Sequence, residues 1–180
     1  MDYVQNQAQS DRGFTLVELL VVMAIVGIVA AIGMAGYRNA KVRGNETSAV
    51  ASMTAINQAQ AAFAQVCGNG HFAPTLAALG TPVSTSGQPF LGADLTASDP
   101  IAKSGYLFVV AGTVAPDAKP SCIGVTPVST YQVTADPLTP GSTGVRFFGS
   151  NADRVVYEDT ATFAGNMPET GPPGHGREIK

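Results

Sequence analysis

An α+β fold is predicted, with one long amino-terminal helix packed against a small four-stranded antiparallel sheet. Three observations predict it. Leu19 to Gly36 contains no charge and no hydrogen-bonding side chain. Beyond it, apolar residues recur at helical spacing as far as Val66. Four β-branched and aromatic runs then follow in the second half of the chain.

The first half of the helix reads as a membrane span. Eighteen helical residues cover about 27 Å, close to the roughly 30 Å hydrocarbon core of a bilayer. Its one acid, Glu18, sits at the edge of this apolar run. An ionised carboxylate there costs several kcal/mol unless it is paired, so Glu18 calls for a partner. Gly27, Gly33 and Gly36 are weak points in helix propensity, or places where another helix can approach closely.

The second half reads as amphipathic. Val42, Ala49, Met53, Ile56, Phe63 and Val66 form one face; Glu46, Thr47, Ser48, Thr54, Asn57 and Gln58 form the other. Gly44-Asn45 offers a break, and Cys67-Gly68-Asn69-Gly70 supplies the stop. Residues 67–103 read as loop, with one short helix at Thr75–Leu79. The predicted strands are Tyr106–Ala111, Thr130–Ala135, Val145–Phe148 and Arg154–Tyr157, the last two joined by a hairpin loop over 149–153. Laying that sheet on the amphipathic half-helix buries both apolar faces. The end of the chain, rich in Pro and Gly from 166 to 180, reads as a flexible tail.

The string Gly13-Phe14-Thr15-Leu16-Val17-Glu18, followed by Leu19-Leu20-Val21-Val22 after a short polar leader, resembles the amino terminus of type IV prepilins and of type II secretion pseudopilins. The resemblance covers roughly residues 10–40. It implies cleavage by prepilin peptidase between Gly13 and Phe14, methylation of the new Phe14 amine, and pairing of Glu18 with the amino terminus of a neighbouring subunit. It also divides the chain into a cleaved leader (1–13), a transmembrane and filament-core helix (14–37), an amphipathic half-helix (38–66), a globular head (67–165) and the tail (166–180). The charge count dissents on orientation. Arg38, Lys41 and Arg43 follow the span and only Arg12 immediately precedes it, which by itself would place the carboxyl end in the cytoplasm.

The implied function is a structural, non-enzymatic subunit of a type IV pilus. It is stored in the bacterial inner membrane, extracted by an assembly platform with its ATPase, and polymerised as a helical homopolymer outside the cell. The alternatives are a major pseudopilin forming a short periplasmic piston, and a monomeric membrane-anchored binding module. In an oxidising compartment Cys67 and Cys122 are expected to form a disulfide; two separate buried thiols are the alternative. The pseudopilin resemblance makes Asp153, Glu158 and Asp159 candidate calcium ligands against a plainer role as solvated loop acids, and no other cofactor is implied. Ten basic residues against thirteen acidic ones, with no clustered basic arm, argue against nucleic acid as a partner. No HExxH, GxSxG, P-loop or CxxC string is present, and His71 and His175 lie far apart in sequence.

Overall fold

The computed structural model describes residues 13–84 and 87–179. The chain separates into two compact units, residues 1–39 and 40–180. A 51-residue helix, α1 (Leu16–Val66), supplies the described helix of the first unit and the first element of the second. It continues through Gly44-Asn45, where the sequence offered a break. In the first unit every large apolar side chain described is exposed, including Leu16, Ile28 and Ile32. By length and composition this segment can cross a membrane.

In the second unit, α1 is followed by α2 (Leu76–Leu79) and α3 (Ala93–Thr96), then by a six-stranded sheet. Its strands are β1 (Ile101–Lys103), β2 (Tyr106–Ala111), β3 (Gln132–Pro137), β4 (Phe147–Asn151), β5 (Val156–Asp159) and β6 (Arg177–Glu178). Every strand pairs antiparallel with its neighbour in sequence, so the sheet is a simple meander. Tyr106, Phe108, Val110, Val133, Ala135 and Phe148 from the sheet join Ala49, Met53, Ile56 and Phe63 of α1 in one buried core. The alternating burial of β2 is the period of a half-covered strand.

The expectation of four strands is corrected to six. β1 has only three residues and lacks a β-branched run; it forms because Ser104-Gly105 turns it back onto β2. β6 lies inside the stretch expected to be a flexible tail, which is the second correction. Residues 167–179 fold back over the head: Asn151 Nδ2 donates to the carbonyls of Pro168 (3.1 Å) and Gly171 (2.7 Å), and the Ile179 amide donates to Val156 (2.9 Å). The last hairpin also sits further along than expected, its turn following Asn151. Gly149 stays in β4 because a side chain there would collide with Phe163 and Met167, which cover that face of the sheet.

The amphipathic stripe on α1 holds from Ala49 to Phe63, but Val66 is exposed, and the stripe continues instead through Cys67. Glu46 and Asn57, assigned to the solvent face, are buried. Glu46 accepts from the amides of Val145 and Arg146 just before β4, and Asn57 donates to Ser150 of β4 and accepts from Tyr131; these bonds offset the cost of burial. α1 stops where expected: Asn69 (φ 54°) and Gly70 (φ 89°) take left-handed conformations, and the Gly70 amide donates to Ala64. The short helix α2 is capped by Thr75, whose Oγ1 accepts from the Ala78 amide at 3.1 Å.

Candidate functional site: the amino-terminal end of the long helix

Gly13, Phe14 and Thr15 precede α1 in non-helical backbone, and Phe14 is 89 % exposed. A Cβ built on Gly13 would meet nothing within 4 Å. Nothing within the described chain therefore demands glycine at this junction; a demand for it would come from whatever handles the peptide bond.

Glu18 stands in the first turn of α1 and has a partner that sequence reasoning missed. Its Oε2 accepts from the Thr15 amide at 3.0 Å and from Thr15 Oγ1 at 2.8 Å, while Thr15 Oγ1 accepts from the Glu18 amide at 3.2 Å. This reciprocal arrangement is a capping box. It satisfies backbone amides that the first turn of a helix leaves free, and puts a carboxylate at the positive end of the helix dipole. The signal was present in the sequence as Thr15-x-x-Glu18. Both bonds to the carboxylate use Oε2, and Oε1 receives none among the described residues.

In the head, Cys67 and Cys122 form a disulfide with Cα atoms 4.8 Å apart. It ties the end of α1 to the β2–β3 connection, and the Cys122 amide donates to the Cys67 carbonyl at 3.0 Å. The bridge separates its cysteines by 55 positions, and closing a loop of that size in the unfolded chain stabilises the fold by about 4 kcal/mol in the chain-entropy account. Replacing both cysteines by serine is expected to lower stability by about 2–4 kcal/mol, read as a fall in Tm. The same unfolding transition in the parent protein should move with reductant.

Asp153, Glu158 and Asp159 each have other partners. Asp153 accepts from the Gly171 amide at 2.6 Å, and Asp159 from the Thr160 amide at 2.6 Å, with His175 Nδ1 2.7 Å from its other oxygen. Glu158 lies between Arg146 and Arg177. Among the described residues no three His, Cys, Asp or Glu side chains converge. Glu158 belongs instead to a chain of alternating charges running Glu46, Arg146, Glu158, Arg177 from α1 across the sheet to β6. Burial alone would raise the Glu158 carboxyl, but hydrogen bonds from Arg177 and Arg146 hold it below the usual range. Asp159 is also held low, chiefly by its hydrogen bond with His175.

Residues 9–34 match the family model of the prokaryotic N-terminal methylation motif. The chain is similar to the type IV major pilin protein PilA of Myxococcus xanthus, 40 % identical over 53 residues, which is 29 % of this chain and 24 % of that protein. It is similar to fimbrial proteins of Pseudomonas aeruginosa, 41 % identical over 51 residues, covering 28 % of this chain and 33 % of theirs. These matches span about a quarter to a third of the relatives' length. No solved structure matched. Residues 9–34 thus carry the prokaryotic N-terminal methylation motif, and the chain is similar over a short segment to a type IV major pilin and to fimbrial proteins.

Proposed function

We propose that this chain is a non-enzymatic structural subunit of a type IV pilus. It is held in the inner membrane by the apolar part of α1, cleaved by prepilin peptidase between Gly13 and Phe14, methylated on Phe14, and polymerised through α1 outside the cell. One observation carries this reading: a matched methylation motif opens onto a helix whose described large apolar side chains, from Leu16 to Tyr37, are all exposed within the chain. Side chains of that kind need either lipid or other copies of themselves. A filament subunit uses both in turn.

The capping box refines the assembly step. Glu18 can keep Thr15 on Oε2 and still offer Oε1 to the amine of a neighbouring Phe14. Cleavage after Gly13 creates that amine, so processing precedes pairing.

Electron microscopy of sheared surface filaments, with mass spectrometry of the subunit amino terminus, tests the proposal. Long filaments whose subunits begin at methylated Phe14 are expected. Short periplasmic assemblies alone would instead favour the secretion pseudopilin, and an intact leader with no filaments would favour the anchored monomer. Gly13→Leu is expected to abolish processing, and because no neighbour crowds Gly13, its loss would not be a folding defect. A correctly cleaved amino terminus in that variant would refute the assigned junction.

A further inference from the structure

Residues 160–176 leave the end of β5, cross the face of the sheet turned away from α1, and return as β6, which pairs onto β5 at Tyr157 and Glu158. This strap lies wholly within the head. It covers β4 so closely that a Cβ on Gly149 would meet Met167 Sδ at 2.8 Å and Phe163 Cγ at 2.9 Å. Phe163 and Met167 are its buried apolar anchors, 0 % and 4 % exposed. One backbone bond joins its middle to the head, from the Ala152 amide to the Glu169 carbonyl at 3.2 Å.

Its side-chain ties end repeatedly on carboxylates. Thr162 Oγ1 donates to Asp136 Oδ2 at 2.6 Å, and the Gly171 amide donates to Asp153 Oδ2 at 2.6 Å. Glu169, in the strap itself, accepts from the Thr113 amide at 3.2 Å, from Thr113 Oγ1 at 2.9 Å and from Thr130 Oγ1. Where the strap begins and ends, Asp159 meets His175, which stacks on Phe163 with ring centres 4.7 Å apart. There too Arg177 Nε donates to Glu158 Oε1 at 2.7 Å, and Arg146 faces Thr160 and Gly176 across a shared cleft. Asn151 adds two neutral bonds, to the carbonyls of Pro168 and Gly171.

We propose that this strap is an acid-released cover: as its carboxylates are protonated it lifts from the sheet, exposing Phe163, Met167 and the bare floor at Gly149, while the core between α1 and the sheet stays closed. A neutral carboxyl is a weaker acceptor than a carboxylate and forms no ion pair with Arg177. The direction of the pH effect follows. The hydrogen bond with His175 holds Asp159 below its ordinary pKa. Burial pushes Glu169 and Glu158 up, but hydrogen bonds from Thr130 and Thr113 to the first, and from Arg177 and Arg146 to the second, hold both low. The grip of these three is therefore complete above the ordinary carboxyl range and is lost as pH falls through the depressed values. The core rests on other forces, a contiguous apolar cluster from Ala49 to Phe148 that the Cys67–Cys122 bridge closes. A thinly packed segment opens ahead of such a core.

Two methionines report the two layers within one chain: Met167 in the strap, and Met53, 0 % exposed, in the core. Hydrogen peroxide converts an accessible thioether to the sulfoxide. The full-length protein in neutral detergent micelles would be treated with peroxide from about pH 7 down to about pH 2.5, with free methionine in the same tube as the rate standard. Peptide mass spectrometry then reads oxidation at each site. Expected is a rise of at least about tenfold at Met167 below about pH 4, with Met53 still protected. Protein returned to neutrality before peroxide is added should be protected at both. Glu169→Ala should raise Met167 oxidation at neutrality about threefold or more. Met53 and Met167 becoming reactive together would overturn the proposal in favour of unfolding of the whole head. Met167 protected throughout, or indifferent to Glu169→Ala, would overturn it in favour of a cover that carboxylates do not hold.

Discussion

Glu18→Gln is expected to yield correctly cleaved, membrane-held subunits that fail to form filaments. Glutamine can still accept from Thr15 in a capping box, so the helix start is retained and only the charge is removed. Two opposite charges 4 Å apart attract by about 4 kcal/mol at an effective dielectric of 20, so losing the pair weakens each docking event by about a thousandfold. Thr15→Ala is the complementary variant. It removes the cap at a cost of about 1 kcal/mol and keeps the carboxylate, so filaments should persist at reduced yield. Immunoblots for the processed subunit beside counts of sheared filaments give the readout. Normal filaments from Glu18→Gln, or none from Thr15→Ala, would mean that the helix cap and not the charge drives docking.

Arg146→Met is expected to be the most damaging single change in the head. Arg146 donates to Glu46 at 2.9 Å and pairs with Glu158, whose side chains are only 5 % and 9 % exposed. Removing the guanidinium strands Glu46 without its ion-pair partner and leaves Glu158 with Arg177 alone. Breaking a buried pair from one side costs about 3–5 kcal/mol; the lower end applies because Arg146 is itself 37 % exposed. That is a large part of the roughly 5–15 kcal/mol that holds a typical domain together. The pH dependence has a definite sign. Glu158 is held below its ordinary pKa in the fold, so its contribution is present above that value and fades as pH falls through the depressed one. The gap between parent and variant should therefore be widest near neutrality and narrow on acidification. Denaturant melts at several pH values would check this, and a gap that widens in acid would contradict it.

Local patterns reached through most of this fold. β2 fell where its aromatic and branched residues placed it, α2 where Thr75 could cap it, and the end of α1 where Asn69 and Gly70 could turn left-handed. The disulfide followed from two cysteines and an oxidising compartment. What escaped the sequence depended on partners distant along the chain. Nothing near Glu46 in sequence announces Arg146 one hundred positions later, so a buried carboxylate looked like a solvated one. β6 is two residues long and exists only because Glu158 and Asp159 supply partners for Arg177 and His175. At the candidate site one motif singled out Gly13, Phe14 and Glu18, and the proposed cleavage and pairing rest on it. The local partner of that acid is equally legible in the sequence, as the hydroxyl of Thr15 three residues before Glu18.

The order of the strands has a consequence for how such a chain comes to be folded. Each strand pairs only with the strand before it and the strand after it, so the sheet can grow as the polypeptide emerges, without waiting for a remote segment. The contacts that fasten this sheet to α1 are of the opposite kind: Asn57 reaches Ser150 across 93 positions, and Glu46 reaches Val145 across 99. The helix is therefore made first and clothed last. Until the sheet arrives, the inward stripe of Met53, Ile56 and Phe63 has little to cover it, and that interval is when the chain is most open to sticking to a wrong neighbour.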